Sequence, residues 1–359
     1  MDYPLGHRLR ELPGPLLLTG HTGFKGAWMT FLLEHLNVPV VGYSLPAEKD
    51  SLYERAERTG AIPEALADIR DYETLEQFID LHKPSTIIHM AAQPLVLKSY
   101  ESPRETFDVN VMGTVNILDI AFKRNFVKSI IVVTTDKVYR NDNSGRAFVE
   151  TDPLEGKDPY SASKVGTESV VAAWQQIAKV SGGPKVVSVR AGNVIGGGDF
   201  AENRIIPDLI RGVIAGEPVE VRNPDSTRPW QHVLDPLHGY LLVLEELTER
   251  DICASLNFGP RDPGIKVEKI SEIGSRIIKN LQTFTGVQTT GRSSVEARAL
   301  DLNSELAKGV LNWQPAWTQE MAIEKTFRWW NNYLIDEELP IDLCYADLLD
   351  FRKKLDLQL

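Results

Sequence analysis

The stretch that decides the fold is TGHTGFKG, residues 19–26. Its glycines, Gly20, Gly23 and Gly26, fall three apart, directly behind the apolar run PLLL. A strand, a tight glycine turn and a helix together aim backbone N–H groups at a pyrophosphate. The spacing is G-x-x-G-x-x-G rather than G-x-G-x-x-G, so the loop alone is a moderate signal. Lys25 stands out, because the positive end of a helix disfavours a cation. A pyrophosphate or a ribose hydroxyl at that end would offset the repulsion; extension into solvent would avoid it.

Outward from this loop, short apolar runs alternate with helical patterns. Strands are expected at PLLLTG, VPVVGYSL, ALADIR, STIIHMAA, KSIIVVTTD and KVVSVRAGNV. Helices are expected at residues 24–36, around 52–58, at 71–83 with Leu75, Phe78, Ile79 and Leu81 on one side, at 103–124 opened by Pro103, and at 161–179. Such alternation predicts an α/β fold built on a Rossmann-like, doubly wound parallel sheet. Residues 1–14 read as an N-terminal leader and 15–192 as the nucleotide-binding domain. Residues 193–359, where glycine- and proline-rich loops accumulate, read mainly as a smaller substrate-binding lobe, with some segments returning to the first domain.

The chain has 359 residues, 42% hydrophobic and 25% charged, enough apolar material for a large core. Its net charge of −11 argues against nucleic acid or an anionic membrane as partner, but not against a nucleotide in a local cationic pocket. Two cysteines, Cys253 and Cys344, lack metal-ligand spacing, so no metal is expected and both are expected reduced. The N-terminal residues show no signal peptide, and no apolar run reaches spanning length. A cytoplasmic protein is the expectation.

Tyr160 and Lys164 in YSASK lie one helical turn apart on one face. An ammonium there stabilises a phenolate and lowers the tyrosine's pKa, giving a base for an alcohol or sugar hydroxyl. The end of the second expected strand offers Tyr43 and Ser44 but no carboxylate, which leaves NAD and NADP both open. Asp68 and Ile69, after the third, are candidates for the adenine edge. Thr135, Asp136 and Lys137 follow the fifth, where such sheets place their chemistry.

The glycine loop, HMAAQP, NVMGT and YSASK together resemble the extended short-chain dehydrogenase/reductase superfamily. TTDKVY, DPYSASK, RAGNVIGGGDF and RNPDSTRPWQHVLDPLHGY narrow that resemblance to the CDP-glucose 4,6-dehydratases, over about residues 14–260. The resemblance implies a lyase that uses tightly bound NAD. It oxidises carbon 4 of CDP-glucose, eliminates water across carbons 5 and 6, and returns the hydride to carbon 6. The alternative within the fold is another nucleotide-sugar 4,6-dehydratase or a 4-epimerase.

By the same resemblance Thr135 shares a hydrogen bond to the 4-hydroxyl with Tyr160, and Asp136 protonates the departing 6-hydroxyl. Lys137 stands where the dTDP-glucose enzymes hold glutamate, and removes the carbon-5 proton or stabilises the enolate-like intermediate. Gly20, His21, Gly23, Phe24, Lys25, Gly26, Asp68, Ile69, Ala91, Gln93, Asn110, Tyr160 and Lys164 are the expected cofactor contacts. Gln93, Thr135, Asn193, Arg204, Arg228 and His232 are the expected substrate contacts; Arg228 is the best diphosphate clamp, and a lone histidine such as His232 is more often structural. A homodimer paired through helices 103–124 and 161–179 is also implied. Two departures fall at the substrate end: VYRNDNSGRAFVETDPLEGK has no tryptophan, and Val295 replaces a histidine before Glu296 and Ala297.

Overall fold

In a computed structural model, residues 5–141, 144–221, 223–252, 254–285 and 300–356 are described. Cys253, Val295, Glu296 and Ala297 lie outside them.

Seven strands form one parallel sheet: β1 (Leu16–Thr19), β2 (Val40–Ser44), β3 (Glu64–Leu66), β4 (Thr86–His89), β5 (Ser129–Thr135), β6 (Lys185–Ala191) and β7 (Ser255–Phe258). Their spatial order is β3-β2-β1-β4-β5-β6-β7. Leu16 of β1 faces Val40 on one side and Thr86 on the other. The chain therefore reverses its direction of travel between β1 and β4, and this switch opens a crevice at their carboxyl ends. β7 comes from the later part of the chain and pairs with β6 through Ser255 and Ser188.

Both faces of the sheet are covered, so its strands read as continuous apolar runs. Alternation still sorts the side chains. Leu16, Leu18, Ile88, Ile131, Val133, Val187 and Val189 pack on one face with Trp28, Phe31 and the helix Leu234–Glu249. Leu17, Ile87, Ile130, Val132 and Val186 pack on the other with Leu75, Ile79, Ile117, Ile120 and Val171.

Helix Tyr72–His82 starts where the Asp71 side chain accepts from Thr74 N and ends at left-handed Lys83. It buries Leu75, Phe78 and Ile79, but Leu81 is 75% exposed, which removes it from the expected face. The helix through residues 103–122 contains one wide turn, Asp108–Met112, in the π form. Helix Pro159–Ser181 begins with a capping box between Asp158 and Ser161, and with Pro159 in the first turn. Its buried face carries Tyr160, Lys164, Thr167, Glu168 and Val171, at helical spacing.

The lobe comprises helix Ile205–Ala215, a ribbon pairing Thr227–Arg228 with Ile265–Lys266, helix Val267–Ile277 and helix Gln319–Ile335. Helix Pro340–Asp356 lies along the glycine-loop helix Phe24–His35, with the Tyr345 hydroxyl donating to Glu34 at 2.8 Å. Among the described residues no helix is long and apolar enough to cross a membrane, and no cluster of His, Cys, Asp or Glu could hold a metal ion.

Asp235 fastens the lobe's tryptophan-rich segment. It accepts from Ala316 N at 2.6 Å, and its carbonyl accepts from the Trp313 indole at 3.0 Å. Burial pushes its carboxyl up to about 8, and one oxygen has no partner. A carboxyl raised in the folded state contributes stability below its unfolded pKa and loses it as pH rises through the folded value. Asp235→Asn should therefore gain thermal stability relative to wild type as pH rises from about 4 to about 8. Melting temperatures of both proteins across that range check it; a constant difference would refute the titration.

Candidate active site

The glycine loop turns at the carboxyl end of β1. Gly20 has φ +74°, and a Cβ on it would lie 2.7 Å from Ala91 N. A Cβ on Gly26 would lie 2.1 Å from the Gly20 carbonyl oxygen. These two glycines solve turning and packing. Gly23 is different: it is exposed, and its nearest neighbour would be 3.5 Å away. That open backbone, with the helix N-terminus at Phe24 behind it, fits the pyrophosphate of a dinucleotide. Phe24 is half-buried, with its ring tip toward Gly196.

The His21 side chain does not face the crevice. It is buried against Gly42 with a ring nitrogen 2.6 Å from Glu64, which also accepts from the Tyr53 hydroxyl. Burial lowers the His21 pKa. The imidazole thus braces the loop against β3, and any cofactor contact of His21 falls to its backbone. At the end of β2 the Ser44 hydroxyl meets that of Thr22 at 2.8 Å. Asp68 is gripped by the Arg70 guanidinium, which holds its carboxyl below the usual range. Ile69 is buried over Gly113, where a Cβ would come within 2.7 Å.

Beyond β4, the side chains of two expected contacts are engaged with the protein itself. The Gln93 side chain is used within its own loop, donating to Thr106 and to the Leu95 carbonyl and accepting from Leu95 N. The Asn110 amide accepts from Gln93 N at 2.8 Å and donates to the Gln93 carbonyl and the Ser163 hydroxyl. Its own carbonyl, in the π turn, accepts the hydroxyls of Thr114 and Thr167. Asn110 therefore holds the Ala91–Gln93 loop in place rather than lining the cleft. His89, which the sequence reading passed over, joins β1 to the helix at 113–122 by bonding Thr19 at 2.8 Å and Thr114 at 3.2 Å. Burial holds it neutral, at about 3.

The chemistry-bearing groups meet where β5 ends. The Thr135 hydroxyl donates to Asp136 at 2.9 Å, and Thr135 lies near enough to the Tyr160 phenol to favour its ionised form. Asp136 lies over Gly192, where a Cβ would come within 2.7 Å of its carboxylate. Burial pushes the Asp136 carboxyl up, with Lys137, Thr135 and Lys25 opposing, as a proton donor requires. Lys137 is half-buried. The Lys164 ammonium donates to the Val133 carbonyl at 3.1 Å, and burial brings it down to about 8.

The lowered Tyr160 pKa expected from the Tyr–Lys spacing is not found. Lys164 does not bring Tyr160 toward neutrality: burial pushes the phenol up to about 12, and the Thr135 hydrogen bond only partly offsets it. Behind Lys164 sits Glu168, one further turn along the helix. It is clamped by both arms of Arg190 at 2.9 Å and by the hydroxyls of Thr134 and Ser188. This pair ties the helix to β5 and β6; repetition of the Tyr160–Lys164 spacing was the signal that could have found it.

Arg204 is paired with Asp199 at 2.9 Å and lies near enough to Tyr160 to act on its charge. Asn193 is half-buried and offers its carbonyl to Gln231 N. Arg228 sits in the lobe ribbon with its guanidinium on the Thr227 carbonyl at 2.8 Å. His232 is no candidate for substrate contact: it is fully buried between Trp28 and Trp317 and held at about 3 by burial.

Lys25 lies on the cleft side of its helix. Burial lowers its ammonium to about 8, with Arg204 and Lys164 adding and Asp136 opposing. The cations converge where an anionic ligand would neutralise them. Lys25→Met should weaken NAD binding roughly 10-fold, about 1.4 kcal/mol. Calorimetric titration measures it, and an unchanged affinity would make Lys25 a bystander.

A sheet that switches at a glycine loop, facing a Tyr–Lys helix, defines a nucleotide-dependent enzyme of the short-chain dehydrogenase type, and the family model agrees. Residues 16–259 match the NAD dependent epimerase/dehydratase family, and the chain belongs to it. It is 38% identical, over 91% of its length and 93% of the relative's, to CDP-glucose 4,6-dehydratase from Salmonella typhimurium. It is 25% identical, over 88% of its length and 97% of the relative's, to dTDP-glucose 4,6-dehydratase from Haemophilus influenzae. The fold superposes on UDP-glucose 4-epimerase of Thermotoga maritima with a TM-score of 0.77 at 21% identity, covering 89% of this chain and 99% of that one.

Proposed function

We propose that the protein is an NAD-dependent CDP-glucose 4,6-dehydratase, a lyase that forms CDP-4-keto-6-deoxyglucose. The observation that carries the reading is the run Thr135, Asp136, Lys137 at the end of β5, with Thr135 and Asp136 near enough to Tyr160 to act on its ionisation. An epimerase needs only the hydroxyl and the phenol; an acid and a base beside them serve elimination. The 38% identity to a CDP-glucose enzyme supports the nucleotide.

Bound NAD supplies the hydride acceptor for carbon 4 and the hydride donor for carbon 6. The Tyr160 phenolate takes the proton of the 4-hydroxyl. Because the phenol is pushed up to about 12, chiefly by burial, positive charge brought in with the ligands has to favour the phenolate. Lys137 removes the proton at carbon 5, and Asp136 protonates the departing 6-hydroxyl. Lys137 then returns its proton to carbon 5. Arg204, Arg228 and Asn193 hold the sugar diphosphate, with guanidinium–phosphate pairs providing most of the grip. Gly20, Gly23, Gly26 and Lys25 hold the cofactor pyrophosphate, and Asp68 and Ile69 border the adenine.

A homodimer is the expected assembly, and the exposed apolar side chains Leu97, Tyr100, Phe107 and Met112, with Ile177 and Val180 on helix Pro159–Ser181, support it. A cytoplasmic location is the reading that suits a substrate and a cofactor of this class. The test is mass spectrometry of products from a panel of nucleotide sugars. CDP-glucose should lose one water; loss from another nucleotide sugar alone would reassign the substrate, and loss from none would refute dehydration.

A further inference from the structure

Segment 196–204 carries the chain from β6 toward helix Ile205–Ala215, and Arg204 stands at its end as the cap residue of that helix. The segment is pinned along its length. The Trp28 indole, from the glycine-loop helix, donates to the Gly197 carbonyl at 3.0 Å. At Gly198 φ is +77°, and a Cβ would lie 2.5 Å from the Leu52 side chain, so the short helix Leu52–Arg55 closes on the segment too. Asp199 is buried; its carboxylate accepts from Ala201 N at 3.2 Å and pairs with Arg204 at 2.9 Å. Whatever holds Asp199 and its neighbour Phe200 therefore sets the place of Arg204.

Phe200 is held by cations. The guanidinium carbons of Arg55 and Arg211 each lie 5.1 Å from its ring centroid, and the Trp330 ring packs against it at 5.8 Å. The face of an aromatic ring carries negative charge and attracts such groups. Arg211 also donates to the Phe200 carbonyl at 2.8 Å and to the Ala201 carbonyl at 3.2 Å. Arg55 comes from the segment that follows β2. It donates to the Asp50 carbonyl at 2.8 Å, to the Asp50 carboxylate at 3.0 Å and to the Tyr333 hydroxyl of helix Gln319–Ile335 at 2.5 Å. Asp50 beside Arg55 and Asp208 beside Arg211 offset the repulsion of two guanidiniums sharing one ring. None of the reaction steps or cofactor contacts uses Arg55.

We propose that Arg55 is a positioning residue for the substrate: by clamping Phe200 beside Tyr333 and Trp330, it holds the Asp199–Arg204 pair where the Arg204 guanidinium meets the diphosphate. Arg55 touches no ligand itself. Without the clamp Arg204 keeps its charge, but the segment has to be ordered when the ligand arrives, and binding bears that entropic cost. Arg204 grips a diphosphate that does not react, so the ground state and the transition state lose equally, and the loss falls on KM rather than kcat.

The inference rests on Arg204 being a diphosphate contact of the proposed CDP-sugar enzyme, and two measurements keep the questions apart. Wild type, Arg55→Met, Phe200→Leu and Phe200→Tyr, all loaded with NAD, are titrated with CDP by calorimetry and assayed with CDP-glucose. Arg55→Met and Phe200→Leu should each weaken CDP binding roughly 10-fold. The KM for CDP-glucose should rise by a similar factor, with kcat within about 3-fold of wild type. Phe200→Tyr keeps the ring and should match wild type. Adding Arg55→Met to Arg204→Met should change CDP affinity by less than about 2-fold, because nothing is left to position. CDP affinity that is unaltered in both Arg55→Met and Phe200→Leu would overturn the clamp, as would a fall in kcat at constant KM. So would an undiminished effect of Arg55→Met in the Arg204→Met background, or an Arg204→Met protein that binds CDP like wild type. If wild type forms no dehydrated product from CDP-glucose, the dehydratase reading fails, while the CDP titrations still decide the clamp.

Discussion

Lys137→Ala is expected to split the reaction in two. Oxidation at carbon 4 asks for Tyr160 and the cofactor, and neither depends on the lysine. Elimination asks for a base at carbon 5. A positioned general base is worth roughly 100- to 10,000-fold, so formation of the 4-keto-6-deoxy product should fall by about 1,000-fold. The hydride taken from carbon 4 then has nowhere to go, and reduced cofactor should accumulate in near-stoichiometric amount on mixing with CDP-glucose. Stopped-flow absorbance of the reduced nicotinamide measures the first half, and mass spectrometry the second. Full turnover in the alanine variant would remove Lys137 from the mechanism. Lys137→Glu separates the two roles open to the residue. A carboxylate can replace an amine as base, but it cannot stabilise an enolate as a cation does. Recovery of water loss in the glutamate variant identifies a base; continued loss with intact oxidation identifies an electrostatic role.

The placement of these groups was largely legible before any coordinates. Alternating strands and helices fix which residues end at the carboxyl edge of a parallel sheet, so Thr135, Asp136 and Lys137 fall near the glycine loop by topology alone. Tyr160 and Lys164 share a face by helical geometry. Side-chain direction inside loops was not legible. His21 sits in the glycine loop by sequence, yet turns inward because Gly42 leaves room and Glu64 offers a partner. Gln93 and Asn110 bind one another across 17 residues, and Asn110 does so from a π turn that has no local signature. His232 lies in a stretch that reads as substrate-binding, but two tryptophans from distant segments enclose it. Polar residues that hold a site and polar residues that do its chemistry look alike until their partners are known. The same distinction applies to pKa. Lys164 is one turn from Tyr160, as expected, but burial acts on both, and spacing alone does not report burial.

Gly26→Ala is expected to abolish cofactor binding while sparing most of the fold. The added methyl would sit 2.1 Å from the Gly20 carbonyl oxygen and 2.6 Å from His21 Cα. Both are backbone atoms, so no side-chain rotation relieves the overlap, and either the loop or the helix Phe24–His35 has to move. The helix is held by Trp28, Met29, Phe31 and Leu33, all fully buried, whereas the loop is the exposed partner at Gly23. The loop is therefore displaced, and with it the N–H groups that would grip the pyrophosphate. Overpacking of this kind costs about 1–3 kcal/mol of stability, which a core this large tolerates. Binding suffers more, because several charge-assisted hydrogen bonds share one geometry and are lost together. NAD affinity should drop by about 100-fold or more, roughly 3 kcal/mol, with a cooperative melt retained. Gly23→Ala provides the contrast. Its methyl meets no backbone closer than 3.5 Å, so the fold should be untouched, and any loss of affinity comes from crowding the ligand itself. Calorimetric titration and thermal melts on both variants decide between the two roles; a Gly26→Ala protein that binds NAD like wild type would show that the loop does not form the cofactor site.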